Sequence, residues 1–311
     1  MFRSSLLFVC LLATAVAAAP RIWTASEGGG SFQGELLEFT ETEVKVKHSG
    51  NFQIFKLPLD RLSAADQEHV RGLLRERRRD EGLKSGPFAG LLTGEPAKSV
   101  SKRGLNFQLL GNPKWDGRQR YPLLIWLHGA GQSGSDNESQ MSGAPRPMLS
   151  EDSQKKHPCF FLAPQCPSRE IGWKNEVADN LVALISDLAE QLPIDESRIY
   201  LTGSSMGGSG TWYLAAKYPQ IFAAAVPLCG GGDPKQASVL KTIPFWVFHG
   251  DQDDQVPVER SRSMVDAVKA AGGALMQYTE LAGAGHLITA TVYPRPELHD
   301  WIFAQRKPVA D

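Results

Sequence analysis

The run Gly203-Ser204-Ser205-Met206-Gly207 stands directly between the strand-like Ile199-Tyr200-Leu201-Thr202 and a helical stretch that begins near Gly208. A chain that passes from strand to helix in so few residues must turn sharply, and only residues without bulk fit beside the apex of that turn. Gly203 and Gly207 meet this need, and the residue the turn lifts above the sheet edge is Ser205, with Ser204 out of register. The surrounding sequence supplies a sheet for such a turn. Residues 123–127 and 160–163 read as buried strands, the next strand begins at 198–202, and further strands follow at 223–228, 245–248 and 275–281. Between them lie helical stretches: Val177, Leu181, Leu184, Ile185, Leu188 and Leu192 recur at helical spacing, 258–271 follows, and 297–305 suits a closing helix. Strands alternating with helices predict a mostly parallel sheet covered on both faces, an α/β domain.

A serine hydroxyl is a weak nucleophile at neutral pH and needs a base to take its proton. In the α/β-hydrolase fold, which this strand-turn-helix motif implies, the base follows the last strand and a carboxylate follows the strand before it. Gly283-Ala284-Gly285-His286 occupies the first place, so His286 is the expected base, and the small residues before it let the loop fold back over Ser205. His299 falls in the closing helix and reads as a surface or packing residue. Asp251, Asp253 and Asp254 compete for the second place, where those not chosen would bond loop amides or the start of the next helix. Oxyanion stabilisation needs pre-aimed backbone N–H groups. Met206, after the nucleophile, supplies one, and Leu127-His128-Gly129-Ala130-Gly131 offers the Ala130 amide as the second, with Gly131 its neighbour and His128 structural. Trp173 could line the substrate pocket or pack in the core, and Asn137 and Glu138 are further pocket candidates.

The chain starts with an address. Arg3 gives a positive start, 6–16 is apolar apart from Thr14, and Ala17-Ala18-Ala19 offers a small-x-small cleavage pattern, so residues 1–19 read as a signal peptide and the mature protein as exported to the periplasm or beyond. The apolar stretch is shorter than the roughly 20 residues of a membrane span, so no span is expected in the mature form. Val9 before Cys10 is not the small residue that lipidation requires. Three cysteines then remain, Cys159, Cys166 and Cys229. Buried thiols are the expectation, and Cys166 with Cys229 is the one pairing entertained.

Residues 20–78 alternate in short runs, turn at Gly28-Gly29-Gly30, and end in a helix opened by the cap pattern Ser63-Ala64-Ala65-Asp66, with Val70, Leu73 and Leu74 as its apolar stripe and its close near Arg77. Residues 79–97, charged and then punctuated by Gly and Pro, read as linker, and 98–308 as the catalytic domain. A net charge of −1 without a basic stripe names no nucleic-acid partner, and 42% hydrophobic with 22% charged residues is ordinary for a globular chain. Close His/Cys ligand spacing is lacking, as are a P-loop lysine and a dinucleotide fingerprint, so no metal or cofactor is expected.

Three resemblances refine this reading. Arg21-Ile22-Trp23-Thr24, the middle strands and Leu59-Asp60-Arg61-Leu62-Ser63-Ala64-Ala65-Asp66-Gln67 resemble the Sla-one homology domain, which implies a small SH3-like barrel with a protein partner or a spacer role. His249-Gly250-Asp251-Gln252-Asp253-Asp254-Gln255-Val256-Pro257 resembles the H-G-x-x-D-x-x-V-P signature of serine esterases and dienelactone-hydrolase-like proteins, which selects Asp253 as the acid and leaves His249 structural. Residues 127–131, Pro164-Gln165-Cys166-Pro167, Trp173, 203–207, 229–234 and 249–257 together resemble an esterase/peptidase group related to polyhydroxybutyrate depolymerases and feruloyl esterases. Leu287-Ile288-Thr289 departs from that group, in which a polar residue and an aromatic often follow the histidine. The implied activity is that of a serine carboxylic-ester hydrolase acting on small or polysaccharide-linked esters. A prolyl-oligopeptidase-like peptidase uses the same triad, but there is no room for its propeller. A non-catalytic scaffold is the remaining class.

Overall fold

The computed structural model describes residues 19–111 and 119–307. The expected signal peptide lies, up to Ala18, outside the described residues, as do residues 112–118 and 308–311. Among the described residues no helix is long and apolar enough to cross a membrane. The chain divides into two compact units between Arg78 and Arg79.

In the first unit, β1 (Arg21–Thr24), β2 (Ser31–Phe39), β3 (Glu43–His48) and β4 (Ile54–Pro58) form an antiparallel sheet in chain order, with a register shift in β2 between Leu36 and Glu38. Trp23, Leu36, Val44 and Val46 point to one side and join Leu59, Leu62, Val70 and Leu74 in a core, the alternation of a sheet with one wet face. Helix α1 (Ala64–Ser85) opens on reciprocal capping: Ser63 Oγ accepts from the Asp66 amide at 3.2 Å and donates to the Asp66 carboxylate at 2.8 Å. Asp66 is buried and also accepts from the Thr24 amide at 2.9 Å and pairs with Arg21 at 2.7 Å, so one carboxylate ties the helix start to β1.

The second unit carries β5 (Ala97–Val100), β6 (Asn106–Leu110), β7 (Tyr121–Leu127), α2 (Glu151–Lys156), β8 (Phe160–Pro164), α3 (Asn175–Gln191), β9 (Ile194–Ser204), α4 (Met206–Lys217), β10 (Ala224–Leu228), α5 (Ala237–Leu240), β11 (Phe245–Gly250), α6 (Glu259–Ala270), β12 (Met276–Leu281), α7 (Thr289–Val292) and α8 (Pro296–Ala304). Its sheet runs β12-β11-β10-β9-β7-β8-β6-β5, parallel from β12 through β8 and antiparallel at β6 and β5. Alternate residues of β7 enter different cores. Leu123, Ile125 and Leu127 pack with Leu181, Ile185 and Leu188 of α3, whereas Leu124 and Trp126 pack with Tyr200, Phe248, Val292 and Ile302. Both faces of the sheet are therefore covered, as in the α/β-hydrolase fold.

Two expectations need correction. Helix α1 does not close near Arg77 but runs to Ser85, and the stretch expected as linker is partly core: Leu83, Phe88 and Leu91 are buried in the cluster that holds α3, and the buried Arg79 donates through Nε to Ala189 O at 2.7 Å. At Gly82 a Cβ would sit 2.7 Å from Gln191 O, so glycine there lets residues 79–85 lie against the end of α3 within the second unit. Strands β5 and β6 were not expected from the sequence at all.

Candidate active site

Strand β9 ends at Ser204 and α4 begins at Met206, leaving Ser205 alone at the turn with φ 60° and ψ −117°. A side chain other than glycine rarely holds such a backbone, and the strain is sustained by packing on every side. A Cβ on Gly203 would lie 2.4 Å from Gly207 O and one on Gly207 would lie 1.8 Å from Leu127 O, so bare backbone is required at both positions. Gly208 is equally confined: a Cβ there would lie 2.2 Å from Leu228 O. The Ser205 amide donates to Leu228 O at 2.9 Å, which fixes the turn over the end of β10.

His286 and Asp253 meet as the order of the motifs implies. Asp253 Oδ2 lies 2.7 Å from His286 Nδ1, and Oδ1 accepts from the amides of Gln255 at 2.9 Å and Val256 at 2.8 Å. Burial opposes the Asp253 carboxylate, but the Val256 amide, the His286 ring and the Gln255 amide outweigh it and hold its titration below the usual range. Because Nδ1 faces a carboxylate it carries the proton, leaving Nε2 of the neutral ring free to accept one. The competing aspartates do other work. Asp251 accepts from the Gly283 amide at 2.7 Å and so braces the loop before His286, and Asp254 is exposed. The Cys229 thiol donates to His286 O at 3.3 Å. Cys229 directly follows Leu228, on which the Ser205 amide rests, so His286 and Ser205 gather at the same end of β10.

Ala130 opens a short turn, Ala130–Gln132, after β7, and a Cβ on the preceding Gly129 would lie 3.6 Å from the Ser205 Cβ. Gly129 thus comes close to the serine with Ala130 next to it in the chain, and Met206 follows the serine as the first residue of α4. His128 fixes the first loop from within: Nδ1 is 2.7 Å from Gly129 O and Nε2 accepts from the Cys166 amide at 2.9 Å, a pattern only the neutral ring satisfies. Burial accordingly lowers its titration to about 4. Trp173 is core, 1% exposed, with its indole N–H on His128 O at 3.0 Å; it supports the loop instead of lining an open pocket. Asn137 and Glu138 are also occupied. The Asn137 amide group donates to Ser99 O and Phe107 O, while Glu138 pairs with Lys98 at 2.8 Å. Space beside α4 lies elsewhere, in a cavity of about 220 Å³ bordered by Ser209, Trp212, Tyr213, Gly231, Arg260 and Met264. Of these only Gly231 falls in a motif segment that the sequence singles out, 229–234; the others come from separate elements that no spacing rule joins.

Cys159, Cys166 and Cys229 are free and buried. The fold brings donor atoms of Cys229, His249 and Asp253 within 4.8 Å of one another, a juxtaposition that sequence spacing hides. Their chemistry does not suit a metal. Burial pushes the Cys229 thiol up to about 12, so it is not a thiolate, and Asp253 and His249 already spend their lone pairs and protons on hydrogen bonds.

With this geometry in place, the likeness to known proteins becomes specific. The model of the dienelactone hydrolase family matches residues 167–294. That span holds Ser205, Asp253 and His286. A protein described as "Probable feruloyl esterase C" of Aspergillus terreus is 26% identical over 155 residues, 49% of this chain and 56% of its own length. Poly(3-hydroxyalkanoate) depolymerase C of Paucimonas lemoignei is 30% identical over 136 residues, 40% of this chain and 31% of its own. The chain therefore spans little more than half of one relative and less than a third of the other. Among solved structures, a thermostable esterase superposes with TM-score 0.65 and 33% identity, covering 70% of this chain and 64% of that one. The feruloyl esterase module of Clostridium thermocellum, complexed with sinapinate, shares the fold with TM-score 0.54 at 13% identity, covering 70% and 90%.

Proposed function

We propose that the second unit is a serine carboxylic-ester hydrolase acting through an acyl-enzyme. Ser205 Oγ attacks the ester carbonyl while His286 Nε2 takes its proton, and the Met206 and Ala130 amides receive the negative charge that builds on the carbonyl oxygen. The tetrahedral adduct collapses as the imidazolium returns the proton to the departing alcohol. Water then attacks the Ser205 ester with His286 again as base, releasing the acid and restoring the serine. Asp253 keeps the His286 ring in the tautomer that this sequence needs.

One observation carries the reading: the 2.7 Å hydrogen bond from His286 Nδ1 to Asp253, at the sheet end where a strained serine stands on a strand-to-helix turn. The esterase relatives support the ester as substrate. The cavity along α4 offers room for one part of it, with Trp212 and Met264 as an apolar floor and Arg260 at its border. We assign the antiparallel unit of β1 to β4 to an SH3-like module of the Sla-one kind that docks a protein partner, and the whole chain to an exported protein.

The test is turnover of a chain-length series of p-nitrophenyl esters, with feruloyl ester and peptide substrates alongside, by the protein and by Ser205→Ala. Short or aromatic esters are expected to be hydrolysed, with kcat at least about 10³-fold lower in the variant. Cleavage of peptides alone would replace the esterase with a peptidase. Absence of any Ser205-dependent turnover would overturn the proposal.

A further inference from the structure

The triad carboxylate serves a second histidine. His249, at the end of β11, is fully buried, and its Nε2 lies 3.1 Å from Asp253 Oδ2 and 2.9 Å from Val256 O. Both partners can only accept, so Nε2 carries a proton and donates to them whatever the state of the other ring nitrogen. Nδ1 lies 2.7 Å from Ser261 Oγ, which in turn lies 2.9 Å from Gly230 O. Gly230 is itself pressed against the nucleophile helix: a Cβ there would be 2.4 Å from the Ser209 amide nitrogen. A continuous buried chain thus runs from the start of α4 through Gly230, Ser261 and His249 to Asp253 Oδ2, the same oxygen that faces His286.

We propose that His249 is a positioning residue for the reaction, acting through Asp253. A carboxylate held only by the Gln255 and Val256 amides on Oδ1 can still rotate about its Cβ–Cγ bond or tilt. A second donor on Oδ2, from His249 Nε2 at 3.1 Å, removes that freedom and holds the oxygen where Nδ1 of His286 meets it. Ser261 and Gly230 hold the His249 ring in turn, so the acid is registered against the helix that carries the nucleophile and not merely against its own loop. Hydrogen-bonded partners one step behind a functional group commonly matter 10- to 100-fold to activity at metal sites, and the same logic of orientation applies to a carboxylate–histidine pair.

This inference rests on the esterase reading, and the experiment separates the two. His249→Phe removes both hydrogen bonds and keeps a ring; His249→Gln keeps a donor that reaches Asp253. Against an ester that the unaltered protein turns over, kcat is expected to fall about 10-fold or more in His249→Phe with KM within about twofold, and to recover in His249→Gln. Ser261→Ala, which frees the ring, is expected to lie between them. Equal loss in the Gln and Phe variants, or an unchanged kcat in a folded His249→Phe, would overturn the proposal. Should His249→Phe fail to fold, Ser261→Ala decides: wild-type kcat there overturns it. Proton NMR of the His286 Nδ1–H reads the same positioning without turnover. A slowly exchanging resonance is expected in the unaltered protein and in His249→Gln and lost in His249→Phe; persistence in His249→Phe overturns the proposal even if no ester is ever hydrolysed.

Discussion

At the scale of the residue, His128 shows how a buried ring can be both structural support and a pH liability. Its two hydrogen bonds, to Gly129 O and from the Cys166 amide, need one protonated and one bare nitrogen, and burial holds its folded-state titration at about 4 against the ordinary 6.5. The unfolded chain takes up a proton as the pH falls below about 6.5, while the folded protein refuses it until about 4. The stability that this ring contributes is therefore complete above pH 6.5 and lost progressively as the pH falls toward 4, by on the order of 3 kcal/mol. Asp253 acts in a separate window. Its folded-state titration is depressed, so its contribution is present above the ordinary carboxylate range and lost only below it. Urea midpoints measured from pH 7 to 4 should fall for the unaltered protein, whereas His128→Asn should be less stable at pH 7 and lose less across that window. Parallel slopes for the two would show that His128 does not titrate as its burial requires.

At the scale of the element, the turn around Ser205 tolerates no added atom. The Cβ of Gly207→Ala would meet the backbone oxygen of Leu127 at 1.8 Å, and a backbone oxygen cannot swing aside as a flexible side chain can, so relief requires α4 to move off the sheet. Overpacking of this kind costs about 3 kcal/mol or more. Gly207→Ala should lower the denaturation midpoint accordingly and abolish ester turnover even though Ser205 remains; a stable, active variant would refute the turn geometry. The same contrast explains what the sequence made legible. Gly203, Ser205 and Gly207 could be read because a strained turn admits few residue types, and Asp253 and His286 because they sit in loops whose chain order the fold dictates. Trp173 was ambiguous in sequence, since an aromatic before a helix suits a pocket and a core alike, and only its 1% exposure and its bond to His128 O separate the two. Strands β5 and β6 escaped notice because β5, with every second residue exposed, has little apolar signal, and because the pairing that makes β6 a strand is with β8, far along the chain. His249 read as structural from its motif, but its partner Ser261 lies on α6, and no spacing rule joins them.

At the scale of the whole molecule, the question is where the second unit begins. Composition drew the line at residue 98, after a charged and Gly-punctuated stretch, whereas compactness draws it at Arg79. The difference is a matter of apolar burial. Residues 79–97 carry Leu83, Phe88 and Leu91, at 1%, 5% and 0% exposure, into the core that packs α3, and Arg79 caps the Ala189 carbonyl near the end of that helix. Each such side chain contributes about 1.5–3 kcal/mol by its burial, and three of them approach the entire net stability of a typical domain. A chain starting at Arg79 should therefore fold cooperatively and keep the ester turnover of the full chain, because it retains every member of that core and the whole sheet from β5 to β12. One starting at Lys98 should be insoluble or melt far lower, having uncovered the α3 side of the sheet. Thermal melts and p-nitrophenyl ester turnover of the two chains decide it. Equal stability would mean that the sheet closes its core without α1's last turns, and that the composition boundary is the physical one. Loss of turnover in the stable longer chain would assign the first unit a part in the reaction itself.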